Sequence, residues 1–337
     1  MAIDFNGALT LADQAVLSND PLVKEITMSL HQTWNAIKDI PFYTSPSLRQ
    51  VGVRYTNEAG TIPMPTWSSI NGEPNAVKGK PKSYEEQMYL IRNKITIDSR
   101  LLEQPNNIID PVEAQVKIFL EGFAYDFNDK FINNDPSSTV GSNSADCFPG
   151  LKYRLENRAA FDIPADCLVQ PASTTASLDV SSTYNASEAN GTISALQELF
   201  DNLNAPDGNG VVLYMNEETK RRFEFIIRQL GAGTGFDANK DAFDRSVDMY
   251  KGAKIRTVGR KVDGTTPVIT SATNFNDVYA VRYGTGYVQG WQSGPFKPEY
   301  LGKSKENGIM HNVLFDWGMG LWMPNTRSVG RLRLATN

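Results

Sequence analysis

The chain has 337 residues, of which 40% are apolar and 21% charged, and it carries a net charge of −5. That length exceeds one comfortable core, so two lobes are expected, and the composition is ordinary for a folded globular protein. The acidic balance argues against a dedicated nucleic-acid binder, though not against a protein that encloses nucleic acid.

Met1 to Leu17 lacks the basic start and apolar core of a signal peptide, and no apolar run reaches the length of a membrane span, so a cytoplasmic protein is expected. Residues 1–48 read as an arm. Asp20 and Pro21 open a helix with Leu22, Ile26, Leu30, Trp34 and Ile37 on one face, and Pro41 and Pro46 stop it. Such a stripe outside a compact lobe must be buried elsewhere, often on a neighbour. From Gln50 to Asp98 the period becomes two. Val51, Val53 and Tyr55 alternate with polar residues, as do Tyr89, Ile91, Ile95 and Ile97, and a polar tip from Ser68 to Ser83 lies between them. A two-stranded ribbon this long needs a partner surface.

Asp110 to Asn134 is the most legible stretch. Asp110 caps, Pro111 starts, and Val112, Val116, Phe119, Leu120, Phe123, Phe127 and Phe131 recur with a helical period. At 1.5 Å per residue such a helix is about 35 Å long. Gly122 in its middle costs roughly 1 kcal/mol relative to Ala. Residues 170–190 form a Ser/Thr/Ala-rich connector and a lobe boundary. A helix through Ile193 to Leu203 follows, then a buried strand at Val211–Met215 and a second helix capped by Asn216. Strands at 253–258, 278–283 and 287–291 come next, and the alternating end of the chain carries Arg327, Arg331 and Arg333.

Catalytic and cofactor signatures are absent: there is no HExxH, GxSxG or P-loop lysine. His31 and His311 are read as structural, Gly284 to Gly286 as a hairpin turn, and Asp126, Asn128 and Asp129 as a solvated helix face. Cys147 and Cys167, with no CxxC pair, are expected as free thiols. Neither an enzyme nor a bound cofactor or metal is expected.

The order of parts, with the stretch Gly122 to Asp135, the phrase Phe148 to Leu155 and the run Val211 to Asn216, resembles the major capsid proteins of tailed phages. That resemblance implies an α+β, Hong Kong 97-like capsid fold. Residues 1–48 would be the N-arm, 49–98 the E-loop and flanking strands, and 99–189 the peripheral domain with its spine helix at 111–133. Residues 190–310 would be the axial domain and 311–337 the strands returning to the peripheral domain. It also implies hexamers and pentamers in a closed icosahedral shell around double-stranded DNA held by non-specific contact. Further implied are assembly in a host bacterial cytoplasm, residence in the virion, and no membrane partner. A portal and an optional decoration protein are expected partners. A separate scaffolding protein is expected as well, since no long helical segment precedes the arm. Intersubunit contact candidates are Trp34, Trp67, Ile70, Lys78, Lys80, Lys82, Arg327, Arg331 and Arg333, and Gly122 is a candidate bend in the spine. The three arginines are expected to pair across subunits, because shell edges need complementary charge. Cross-linking through Lys78, Lys80 or Lys82 to Asn325 is not expected, because no glutamate follows Glu306. The rival readings are an encapsulin-type nanocompartment shell and an unrecognised α+β enzyme.

Overall fold

The structure is a computed structural model and describes residues 36–54, 65–74, 76–79, 82–102, 111–172, 176–178, 186–229, 236–240, 246–270, 275–304 and 309–335. Most of the arm helix, with His31 and Trp34, lies outside the described residues, as do Lys80, Glu306 and the Asp110 cap. A one-turn helix at Ile37–Asp39 leads into β1 (Phe42–Thr44), β2 (Arg49–Arg54), β3 (Lys82–Gln87) and β4 (Tyr89–Asp98). Helices α1 (Ser99–Leu102), α2 (Pro111–Asn133) and α3 (Leu151–Glu156) come next, then β5 (Leu168–Val169) and α4 (Ala186–Asn202). The chain continues with β6 (Val211–Met215), α5 (Glu217–Gln229), β7 (Phe236–Lys240), β8 (Ser246–Tyr250) and β9 (Ala253–Thr257). It ends with β10 (Phe275–Arg282), β11 (Gln289–Gln292), β12 (Pro298–Lys303), β13 (Met310–Trp322) and β14 (Val329–Ala335).

These strands form three sheets. A seven-stranded sheet runs β5-β14-β10-β6-β9-β8-β7, and a five-stranded sheet runs β1-β11-β13-β12 with β4 on the other edge of β13. β2 and β3 stand apart as an antiparallel ribbon. Sheet membership cuts across the expected boundaries: β11 and β12 join the five-stranded sheet, whereas β5 and the final strand β14 join the seven-stranded one. The turn at Gly284 to Gly286 is therefore no hairpin, since β10 and β11 on either side of it belong to different sheets. The ribbon also differs from expectation, because β4 pairs with β13 along its length and the partner of β2 is Lys82–Gln87.

Alternation explains how the seven-stranded sheet is covered. β6 sits inside the sheet and is buried at every residue. Val211, Leu213 and Met215 share a core with Leu196, Leu199 and Phe200 of α4 and with Phe223 of α5. Val212 and Tyr214 point the other way, into the core beneath α2. Asn216 caps α5 as expected, accepting from the Thr219 N–H at 2.6 Å. α4 begins at Ala186, inside the stretch read as a connector.

α2 runs along both sheets, and its four phenylalanines face different elements. Phe119 packs at a tilt on Phe315 of β13 at 4.3 Å, and Phe123 likewise on Phe296 at 5.4 Å. Phe127 meets Phe148 at 5.7 Å, and Phe131 meets Tyr214 of β6 edge-on at 5.6 Å. Each tilted or edge-on aromatic pair contributes about 0.5–1.5 kcal/mol beyond the area it buries. At the C-terminal end the Gly150 N–H donates to the Asn134 carbonyl at 2.9 Å. A Cβ on Gly150 would stand 2.6 Å from the Asn134 nitrogen and 2.9 Å from the Ile132 and Lys130 carbonyl oxygens. The phrase Phe148 to Leu155 thus needs its glycine for close approach to the end of the helix, not for a left-handed turn.

Candidate functional site

The ribbon is fixed at its base and exposed at its tip. At the base, Tyr84 of β3 packs on Trp322 at 4.9 Å between ring centroids. A Cβ on Gly52 of β2 would lie 2.5 Å from the Trp322 ring, so only glycine lets this strand rest there. Glu86 of β3 forms an ion pair with Arg154 of α3 at 2.5 Å and also accepts from the Tyr84 hydroxyl. Both charged side chains are almost fully buried, at 8% and 1% exposure. Burial works against the Arg154 charge, but the Glu86 carboxylate and the Tyr84 oxygen outweigh it and hold the guanidinium firmly protonated. Arg154 also donates to the Pro149 carbonyl at 3.0 Å and lies 5.0 Å over the Phe161 ring. Beyond this base, Trp67 and Ile70 are fully exposed, at 98% and 103%. Lys78, in the same loop, is exposed as well. Lys82, another contact candidate, stands opposite Arg54 at the loop end of the ladder and pairs with Asp162 at 2.5 Å.

The C-terminal arginines have acidic neighbours within the subunit. Arg333 pairs with Asp277 through two hydrogen bonds of 2.6 and 2.8 Å, and the two residues stand directly opposite each other on β14 and β10. Arg327 pairs with Asp166 at 2.8 Å and donates to the Asn202 carbonyl at 2.9 Å. Arg331, nearly buried, lies 3.7 Å from Glu156. Within the subunit each of the three guanidinium groups thus has an acid nearby, because acids distant in sequence fold toward it.

The helix face read as solvated is corrected by the structure. Asn128 and Asp129 are buried, and only Asp126 stays half-exposed, paired with Lys130 at 2.8 Å. Asp129 binds Lys261 at 3.1 Å and accepts from the Ser142 hydroxyl at 2.5 Å and the Asn133 amide at 2.7 Å. Midway along the same helix, Gly122 has open space where a Cβ would be, with no atom within 4 Å. Close packing inside the subunit therefore does not account for this glycine.

A further buried acid is Asp39, 2% exposed, which binds Arg256 and Lys254. Burial alone would raise its pKa; the two cations overcome that and hold it well below the usual carboxylate range. Cys147 and Cys167 are free thiols, pushed up by burial to about 11 and about 12. His311 stacks on Tyr300 in β12, 5.8 Å between ring centroids. A cleft of about 260 Å³ opens between β4 and α2, lined by Leu90, Ile91, Phe123, Phe127 and Met319. Among the described residues, no group of three or more His, Cys, Asp or Glu is placed to hold a metal ion, and no helix is long and apolar enough to cross a membrane.

No protein family and no curated protein matches the sequence. Solved structures do match in shape. The SrpI encapsulin of Synechococcus elongatus is similar with a TM-score of 0.55 and 11% identity, over 95% of this chain and 93% of that one. The capsid of a native GTA particle is similar with a TM-score of 0.53 and 13% identity, over 92% and 90% of the two chains. A structure from Mycobacterium phage Bobi has a TM-score of 0.51 and 11% identity, over 98% and 99%. The chain therefore has the α+β, Hong Kong 97-like fold.

Proposed function

We propose that this chain is a shell-forming structural protein, the major capsid protein of a tailed double-stranded DNA phage. The observation that carries the reading is the ribbon. A two-stranded excursion pinned through Trp322 and Arg154, with a fully exposed Trp67 and Ile70 at its far end, fits a subunit that completes its packing on a neighbour. In this reading the tip, Lys78 included, lies on an adjacent copy, and subunits close into hexamers, pentamers and an icosahedral shell. The arm with Trp34 and the loop with Lys80 extend the same contact set. Portal, scaffolding and decoration proteins, packaged DNA, and assembly in a host cytoplasm belong to this proposal as well. No enzymatic role is part of it.

A Hong Kong 97-like nanocompartment shell is the second reading, favoured by the similarity to the encapsulin, which matches the similarity to the GTA capsid and the phage structure. Particle contents separate the two. Particles purified from the natural source should hold nuclease-protected double-stranded DNA; a protein cargo in its place would overturn the phage assignment while leaving a shell.

A further inference from the structure

The segment that follows the arm touches both large sheets within a few residues. Its one-turn helix lies on the seven-stranded sheet, where Asp39 accepts from Arg256 at 2.8 and 3.1 Å and from Lys254 at 3.1 Å, both on β9. Beside it the Tyr214 hydroxyl donates to the Ala36 carbonyl at 3.4 Å, and the Ala36 N–H donates to Asn128 of the spine at 3.4 Å. Just beyond, β1 pairs in parallel with β11 of the five-stranded sheet, Phe42 opposite Gly290. The Gly290 N–H donates to the Pro41 carbonyl at 2.9 Å, and the Ser45 N–H donates to the Gln292 carbonyl at 2.9 Å. Ala36, Ile37, Asp39, Ile40 and Phe42 are all at most 3% exposed.

We infer that residues 36–45 form a charge-locked strap that holds the two sheets in one fixed relative position. Apart from the short connections β10–β11 and β13–β14, the sheets meet through the aromatic core around α2, and the hydrophobic part of that contact is non-directional. Packed apolar layers slide past each other in small shear steps at little cost. A carboxylate gripped by two guanidinium nitrogens tolerates no such slide, since its strength depends on geometry. Moving β9 relative to β11 would draw the buried Asp39 carboxylate off the two cations that compensate it. With one end on each sheet, the strap stops that motion. It is a property of the single subunit and does not depend on what the subunit assembles into.

Hydrogen exchange on the isolated full chain tests this with two variants. Asp39→Asn removes the carboxylate that grips the buried Arg256 guanidinium and risks unfolding. Asp39→Asn with Arg256→Gln removes both charges, and Lys254, whose side chain is 12% exposed, can turn toward water. The double variant is expected to fold and to exchange about tenfold faster in β1, β9 and β11 together, because the sheets now shear. Faster exchange confined to residues 36–45, with β9 and β11 unchanged, would overturn the inference. So would a double variant less stable than Asp39→Asn alone, because the segment's role would then be bulk packing and not the ionic lock.

Discussion

Replacing Glu86 by Gln is expected to unfasten the ribbon at its base. Gln keeps the side-chain volume and an oxygen for the Tyr84 hydroxyl, so little packing is lost; what disappears is the countercharge of Arg154. Removing one partner of a buried pair costs about 3–5 kcal/mol. The remaining contacts of Arg154, the Pro149 carbonyl, the Tyr84 oxygen and the Phe161 face, are neutral. These contacts are present in both proteins and do not replace the lost countercharge. Against a total stability of about 5–15 kcal/mol, that cost is large. Urea unfolding of the unassembled subunit measures the loss, and hydrogen exchange should localise it to β2 and β3. Adding Arg154→Met should recover most of it, because a neutral pair leaves no stranded charge. A loss below about 1 kcal/mol, the value of an ordinary exposed pair, would refute the role given to Glu86. A double variant as unstable as Glu86→Gln would refute it equally.

Trp67→Ala and Ile70→Ala should change subunit stability by less than about 0.5 kcal/mol while sharply lowering shell yield, as read by paired unfolding and sedimentation. Gly122→Ala should stabilise the unassembled subunit by about 1 kcal/mol, since nothing obstructs the new methyl group. If the spine bends at Gly122 during maturation, the same variant slows shell expansion, and normal expansion would remove that role. Asp39 has a depressed pKa, so its contribution is fully present above the ordinary value of 3.8 and is lost as pH falls below it. The stability deficit of Asp39→Asn should therefore stay constant from neutral pH down to about 4 and shrink below that. Cys147, at about 11, should resist alkylation near pH 8 in the native protein and react on unfolding, as mass spectrometry of labelled peptides would report.

Local pattern made much of the fold readable. The phenylalanine stripe of α2, the buried run of β6 and the Asn216 cap are signals contained in one short window each, and all stand in the structure. β3 was hidden for a physical reason. Only Tyr84 and Glu86 of Lys82–Gln87 are buried, and a glutamate on the inner face carries no apolar signal. The periodic stretch Tyr89 to Ile97 took its place as the expected partner of β2, although it belongs to β13. The ion pairs were hidden by distance along the chain. Arg333 and Asp277 are 56 residues apart, Glu86 and Arg154 are 68 apart, and Asp39 and Arg256 are 217 apart. Arginines with no acid nearby in sequence looked available to a neighbour until folding supplied partners. The exposed tip is the opposite case: Trp67 and Ile70 sit in a polar loop, and nothing in the described structure covers them.

Sedimentation velocity of the expressed full-length protein, with electron microscopy of the fastest fraction, tests the central claim most directly. A shell subunit should appear as capsomers and closed particles of uniform size, and the particles should disappear in Trp67→Ala. A wild-type chain that sediments as a monomer or small oligomer at every concentration, with no particles in the images, would contradict the shell reading.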